Sequence, residues 1–500
     1  MSNNLTQRTI SGIIWKFAER IGAQLVTAII SIVLARILMP EDYGLVSIVT
    51  ILITLCNVFV SNGFGNSLIQ KKEVDEIDFS SVFYASLVLS LGLYAILFIT
   101  APFIAQFYKN DLLCPVLRVM GLRLPIAAIN SVQQAYVARQ MAFKKFFFAT
   151  FSGTLVSGGV GLWMAYNGYG VWSLVGQYLL NVIIGTITLW VIVKWRPKLV
   201  FSFQKLKVLF SYGWKLLVSG LLNTGYNELR GLVIGRKYTA SDLAYYEEGK
   251  KYPSLLAVNM DAAFSAVLLA SMSKVQDDRE KVKEAARKSI RFSSYFIMPC
   301  MVGLACVARP FVQVVFTDKW LPMVPYLQIM CFVYAFYPIH TANLTAIQAV
   351  GRSDLFLILE IIKKVIGITS LLISMWFGVF WIAATSILTT ITSSFINAFP
   401  NKKLLNYSYF EQIKDLLPSF GLSALMGVPV YLMNYLSLNI YLLLGLQILL
   451  GVSIYVAASM VFKMESFRFI VAYAKKILKK KKVEHNNDGG DIVQQNEIGE

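Results

Sequence analysis

Apolar runs of about 20 residues recur along the whole chain, each the length an α-helix needs to cross the ~30 Å hydrocarbon core of a bilayer at 1.5 Å per residue. Fourteen can be drawn, at about 13–37, 43–61, 80–106, 113–138, 148–167, 171–193, 208–235, 243–272, 292–316, 322–348, 355–376, 379–399, 415–436 and 440–462. Two of them, the seventh and eighth, have charge set into the run: Lys215, Glu228 and Arg230 in one, and Glu247, Glu248, Lys250, Lys251 and Asp261 in the other. An ionised side chain near the middle of a membrane helix costs about 2.5–3.5 kcal/mol even on lenient insertion scales, so such groups face a protein interior or a watery cavity. Ser219, Asn223, Asn227 and Arg230 recur at helical spacing, and Glu247, Lys251, Ser254, Asp261 and Ser265 keep close to one face. The first run shows the same pattern, with Lys16, Arg20, Gln24, Thr27 and Ser31 on one side. These stripes predict a lined cavity.

The pattern also repeats on a longer scale. Trp15-Lys16 matches Trp214-Lys215, Arg36 matches Arg236 and Asp42 matches Asp242, about 200 residues apart. In the same order, Phe79-Ser80-Ser81 returns as Phe292-Ser293-Ser294, Pro102-Phe103 as Pro310-Phe311, Pro115 to Met120 as Pro325 to Met330, and Gly170-Val171 as Gly378-Val379. Six spans separate the copies, so both start from the same side and the repeats are parallel, about an axis along the membrane normal. The chain divides accordingly into a six-helix lobe at 1–207, a second at 208–405, and an additional helix pair within 406–462. A basic amphipathic segment, 463–482, is expected to lie on anionic lipid, and the polar tail 483–500 to be disordered.

Composition agrees with a membrane protein: 56% of the 500 residues are hydrophobic, 15% are charged and the mean hydropathy is +0.60. The net charge of +18 would suit nucleic acid if it were clustered on a soluble domain, but its placement speaks of topology. Outside the spans, and counting Arg36 at the very end of its helix, 30 Lys and Arg fall on the side shared with the N-terminus and 5 on the other, which predicts both termini in the cytoplasm. No cleavable signal is expected, because Met1 to Arg8 is polar and the first run is long and interrupted by charge. The five cysteines show no CxxC spacing and read as packing residues, and neither a metal nor a cofactor is expected. His340, in a span, reads as a cavity or helix-contact residue. No Ser/His/Asp or HExxH pattern appears and the outer loops are short, so an enzyme such as a polysaccharide polymerase or ligase is disfavoured.

Several stretches then carry a resemblance: Pro40-Glu-Asp-Tyr-Gly44-Leu, Gly63-Phe-Gly-Asn-Ser-Leu-Ile-Gln70, Ala101-Pro-Phe-Ile-Ala-Gln-Phe-Tyr108, Lys319-Trp-Leu-Pro-Met-Val-Pro-Tyr-Leu-Gln328 and Gly351-Arg-Ser-Asp354. The chain resembles the oligosaccharide flippases of the multidrug/oligosaccharidyl-lipid/polysaccharide exporter superfamily, in the branch of lipopolysaccharide, colanic acid and teichuronic acid exporters. One departure is Ser61, where many members have an Asp ahead of the glycine. The resemblance implies an alternating-access transporter of twelve core helices plus two. Its cargo would be an undecaprenyl diphosphate-linked oligosaccharide, moved across the bacterial cytoplasmic membrane for surface polysaccharide assembly.

On that reading the cationic and polar residues of the stripes become candidates for the cargo: Arg230, Lys250 and Lys251 for the diphosphate, with Lys16, Arg20, Arg123, Lys215, Asn223 and Asn227 lining the cavity. Asp261, Glu228, Glu247 and Glu248 are candidates for coupling to a proton or sodium gradient, since a carboxylate in a cavity can switch between ion-bound and paired states. The expected partners are the lipid-linked oligosaccharide, membrane lipids and a coupling ion, with no nucleic acid, and the expected unit is a monomer. The second reading is a multidrug or cation antiporter of the same superfamily, which would present a more acidic or apolar chamber.

Overall fold

The computed structural model describes residues 22, 24, 26–61, 68, 71, 73–140, 142–469 and 471–472. Their regular elements are all helices: α1 (Val26–Ile37), α2 (Pro40–Val60), α3 (Glu76–Tyr108), α4 (Leu113–Gly121), α5 (Arg123–Arg139), α6 (Phe143–Tyr166), α7 (Val171–Ile192), α8 (Phe203–Lys237) and α9 (Ala240–Ser273). They continue with α10 (Arg279–Cys306), α11 (Ala308–Val315), α12 (Val324–Ala335), α13 (Tyr337–Ala349), α14 (Ser353–Ser374), α15 (Val379–Leu405), α16 (Tyr409–Leu432) and α17 (Ile440–Val461). Short 3-10 turns stand at Asp318–Met323 and Met433–Tyr435. Ten described segments are long and apolar enough to cross a membrane. Three more helices, α8, α9 and α14, have 35, 34 and 22 residues, enough for the crossing at 1.5 Å per residue, but carry charge within the run. Lys16 and Arg20, expected to line the cavity, lie outside the described residues, as do most of 463–482 and the tail.

Local chemistry recurs where the sequence repeats. Asp42 accepts the Met39 N–H at 3.2 Å at the start of α2, and Asp242 accepts the Thr239 N–H at 3.1 Å at the start of α9, so both carboxylates sit in the first turn, where the helix dipole favours them. Gly170 and Gly378 hold φ of +53° and +116° immediately before α7 and α15, conformations that an L side chain resists. The expected span at 292–316 is divided at Val307 between α10 and α11, and two matching spans are each built from a pair of helices, α4 with α5 and α12 with α13, broken at Leu122 and at Phe336. Pro125 and Pro338 lie just after the last two breaks; each lacks an N–H and its ring opposes the carbonyl four residues back. Phe79-Ser-Ser and Phe292-Ser-Ser differ: Ser80 and Ser81 accept the Lys198 and Ser202 N–H groups, whereas Ser293 and Ser294 donate to Ser289 O and Ile290 O of their own helix.

The chain divides into two compact units, the first comprising Met1–Gly249, Val315–Tyr326 and Gly367–Thr385, the second Lys250–Val314, Leu327–Ile366 and Ser386–Glu500. In the first unit, the end of α1 is closed by the Lys319-Trp320 motif. The Trp320 indole N–H donates to Ala35 O at 2.8 Å, and Lys319 Nζ donates to Arg36 O and Leu38 O at 2.8 and 2.6 Å. These are carbonyls that a helix C-terminus leaves without partners of its own. Tyr43 and Tyr245 meet the Trp320 ring edge-on at 5.2 and 5.9 Å. Gly44, next to Tyr43, lets α2 press on the start of α9: a Cβ there would stand 1.7 Å from Ala240 O.

In the second unit, α10 and α16 are joined through a buried carboxylate. Asp415 accepts from Arg287 at 2.8 and 3.0 Å, from Arg291 at 2.6 and 2.9 Å and from Tyr407 OH at 2.7 Å, which satisfies a charge only 3% exposed. Asn343, Asn401 and Gln412 form an adjoining buried amide network with bonds of 2.6 to 3.0 Å.

Candidate functional site

The first unit holds a polar chamber of about 330 Å³ between α2, α5, α6 and α7. On α5, Arg123, Ala127, Asn130, Ser131 and Gln134 line it, one helical face read at i, i+4, i+7, i+8 and i+11. Thr54 and Asn57 of α2, Ser61 at its C-terminal cap, Thr150 of α6 and Asn181 of α7 complete its polar wall, and among the described residues no carboxylate lines it. Arg123 is half-buried, and its Nε and Nη1 are buried with no hydrogen-bond partner in the protein. Its guanidinium stands 5.4 Å from the centre of the Tyr178 ring, a cation–π contact that supports the plane without using the N–H groups. Asn130 Oδ1 is likewise buried and unmatched.

A second chamber of about 180 Å³ shares Thr54 with the first and has the opposite character. Glu228 of α8 and Glu247 and Glu248 of α9 converge on it, opposite Ser47 and Thr50 of α2 and Tyr178 of α7. Gly231 admits Glu247 against α8, since a Cβ there would lie 3.1 Å from Glu247 Oε1. Thr50 Oγ1 is buried and unmatched. Of the residues expected from sequence, then, Glu228, Glu247 and Glu248 come together and Arg123 lines the neighbouring chamber. Arg230 is half-buried with Nε and Nη2 unmatched. Lys215, Asn223 and Asn227 are exposed and line neither chamber.

Lys250, Lys251 and Asp261 belong to the second unit. Asp261 Oδ1 accepts from Thr341 Oγ1 at 2.5 Å, joining α9 to α13. His340, the neighbour of Thr341, has Nδ1 3.1 Å from Asn397 Nδ2 and is a helix-contact residue between α13 and α15. The polar stripe of α2 was not singled out from sequence, although Ser47, Thr50, Thr54, Asn57 and Ser61 keep to one side of an otherwise apolar helix; nor was that of α5 beyond Arg123.

Residues 33–325 match the family model described as polysaccharide biosynthesis protein. The chain belongs to this family. Among curated relatives of this polysaccharide biosynthesis protein is the succinoglycan biosynthesis transport protein ExoT of Rhizobium meliloti, 25% identical over 288 residues, 58% of this chain and 58% of that protein. The lipopolysaccharide biosynthesis protein WzxC of Escherichia coli is 23% identical over 86% of this chain and 88% of its own length. The teichuronic acid biosynthesis protein TuaB of Bacillus subtilis is 25% identical over 60% of this chain and 62% of its own. The chain thus spans somewhat less than two thirds of the length of two of these relatives. Among solved structures, the lipid II flippase MurJ in an inward closed conformation superposes with a TM-score of 0.73 at 16% identity, over 92% of this chain and all of that one. An inward-facing multidrug resistance MATE family transporter superposes with a TM-score of 0.59 at 17% identity, over 77% of this chain and 96% of its own. At such identities the likeness is one of fold. It is the multi-pass helical fold of these transporters.

Proposed function

We propose that this protein is a flippase that carries polyprenyl diphosphate-linked oligosaccharide across the bacterial cytoplasmic membrane for surface polysaccharide assembly. Fourteen spans, with both termini cytoplasmic, are arranged as two parallel six-helix repeats and a helix pair, working by alternating access as a monomer. The recurrent helix starts at Asp42 and Asp242 and the paired breaks at Leu122 and Phe336 support the repeat. Relatives named for the transport or biosynthesis of succinoglycan, lipopolysaccharide and teichuronic acid support the cargo class.

The observation that carries the reading is the chamber at Arg123: a site among membrane helices that offers amides, hydroxyls and unmatched guanidinium N–H groups and, among the described residues, no carboxylate. Such a lining suits a hydroxyl-rich anion and repels an organic cation. The acidic chamber of Glu228, Glu247 and Glu248 is the feature that favours the second reading, cation or multidrug antiport; beside the Arg123 chamber, it serves a coupling cation. Asp261 is the further coupling candidate, and Arg230, Lys250 and Lys251 are the candidates for the diphosphate.

The test is translocation of a fluorescent polyprenyl diphosphate oligosaccharide in proteoliposomes, with and without a proton or sodium gradient. The wild type is expected to expose the head group to an external lectin or glycosidase faster than empty vesicles. Arg230→Gln and Lys251→Gln are expected to be slower, and the corresponding Glu variants slower still. Transport of a cationic dye with no movement of the glycolipid would replace this reading by the antiport one.

A further inference from the structure

We propose that the chamber between α2, α5, α6 and α7 is a recognition subsite for an oxyanion-bearing glycosyl residue of the cargo, with the anion held by Arg123 and the hydroxyls of the same sugar held by the surrounding amides. The proposal deepens the flippase reading and rests on it.

The argument begins with charge. A guanidinium cannot shed its proton in a protein, so desolvation cannot neutralise it as it can a lysine or a carboxyl group. Arg123 therefore keeps a positive charge with two buried N–H donors that no protein acceptor meets, and a buried charge without a partner is costly. An oxyanion removes that cost. Nε and Nη1 lie on different edges of the guanidinium, and an oxyanion that accepts from either of them makes a charge-assisted hydrogen bond. With no Asp or Glu among the described residues of the lining, an oxyanion on the ligand supplies the missing partner.

The second step concerns the opposite demand in the same chamber. Asn130 Oδ1 is a buried acceptor without a donor, two turns along the same helical face from Arg123, and Asn57, Gln134 and Asn181 with Thr54 and Ser131 add polar groups to a wall otherwise half apolar. A bare inorganic anion would satisfy the arginine and leave Asn130 Oδ1 without a donor. A ligand that brings an oxyanion and several hydroxyls together satisfies both, and that combination is an acidic sugar or a sugar phosphate. About 330 Å³ is at the small end of ligand pockets, which run from about 300 to 1,000 Å³, so the chamber takes a small part of an oligosaccharide and not the whole.

The third step is exclusion. The acidic chamber begins at Thr54, and Tyr178 lines it while standing beside the Arg123 guanidinium. Three carboxylates, Glu228, Glu247 and Glu248, line the second chamber and no cationic residue is among its described lining, so an oxyanion is better placed on the Arg123 side of that boundary.

The test uses the purified full-length protein in detergent micelles, titrated with glucuronic acid, glucose 1-phosphate, glucose and inorganic phosphate, and read by thermal shift and calorimetry. Glucuronic acid or glucose 1-phosphate is expected to bind at least tenfold more tightly than glucose and than inorganic phosphate. If only the first binds, the anion is a uronic carboxylate; if only the second, it is the sugar-linked phosphate. Arg123→Gln is expected to abolish the preference while leaving the ligand-free melting temperature unchanged or raised, because it removes a charge that no protein group satisfies. Asn130→Ala is expected to weaken the sugar anion at least threefold and inorganic phosphate not at all. Equal binding of glucose, equal binding of inorganic phosphate, or a preference that survives Arg123→Gln would each overturn the proposal, as would a melting temperature that falls in Arg123→Gln with no ligand-dependent shift in the wild type. Proteoliposomes separate the two levels. If the wild type moves no lipid-linked oligosaccharide at all, the flippase reading fails. If it moves acidic and neutral cargo alike and Arg123→Gln changes neither, the subsite fails and the flippase reading stands.

Discussion

Replacing Trp320 tests whether the family-like stretch Lys319-Trp-Leu-Pro is a structural lock or a transport element. Trp320 is fully buried, its N–H serves Ala35 O at 2.8 Å, and its ring is held by Tyr43, Tyr245 and Phe316 at 5.2, 5.9 and 6.0 Å. Trp320→Phe keeps an aromatic ring but strands the Ala35 carbonyl, at a cost of about 1–3 kcal/mol. Trp320→Ala also opens a cavity among three aromatic side chains, which for a buried Trp or Phe adds up to about 3–5 kcal/mol. Lys319→Met withdraws the donors to Arg36 O and Leu38 O at the solvated end of the lock and is expected to lie near the Phe variant, about 1–2 kcal/mol. The assay is equilibrium unfolding in mixed micelles titrated with a denaturing detergent, followed by tryptophan-independent circular dichroism. The expected order of loss is Ala, then Phe and Met, then wild type. A Phe variant within 0.5 kcal/mol of wild type would refute the hydrogen-bonded closure of α1 and leave the motif as plain packing.

Gly44→Ala is expected to cost about 3 kcal/mol, at the upper end of overpacking, because its Cβ would meet Ala240 O at 1.7 Å, while Gly92→Ala, with open space around it, should be neutral or stabilising; equal melting temperatures for the two would contradict the close approach of α2 and α9. Asp415→Leu should lose about 1–3 kcal/mol, chiefly by stranding the buried Tyr407 hydroxyl, because Arg287 and Arg291 are about 40% exposed and Arg291 also meets Glu465, and adding Arg287→Met should restore part of it; strict additivity in detergent unfolding would mean the pair does not interact. Asp75, which caps α3, is held down to about 2 by the Lys205 ammonium and then by the Asp78 N–H. Its ordinary value is higher, so its stabilisation is complete above about pH 5 and lost as pH falls from about 4 towards 2. Because the pair is largely exposed, the effect is at most about 1 kcal/mol, and Asp75→Asn should flatten that limb of the pH–stability curve.

The membrane-spanning class and the positions of most helices were legible because hydrocarbon thickness dictates length, and length is written directly in the apolar runs. The pairing of motifs was legible at turns, where Asp42 and Asp242 cap helices and Gly170 and Gly378 hold positive φ, since only a few residue types serve there. It was illegible in what paired motifs do: Ser80 and Ser81 strap a connector, whereas Ser293 and Ser294 bond their own helix. Broken spans were missed, although Pro125 and Pro338 announced them, because apolar composition runs through the break unchanged.

The site was half legible, for a reason of cost. A charge in a membrane helix is expensive wherever it points, so Glu228, Glu247 and Glu248 stood out, and the fold brings them to one chamber. A hydroxyl or amide is cheap, because it can turn back on its own helix, as Ser47 does to Tyr43 O at 2.8 Å and Ser61 to Asn57 O at 2.9 Å. Thr50 and Asn130, in the same stretches, make no such bond. Residue type cannot separate the hydroxyl that is already satisfied from the one that is not, and the chamber walls are built largely from such residues. What marks them is company: in α5 the polar positions 123, 130, 131 and 134 fall on one face behind an arginine, and a helix that needed those groups only for its own backbone would have no reason to align them.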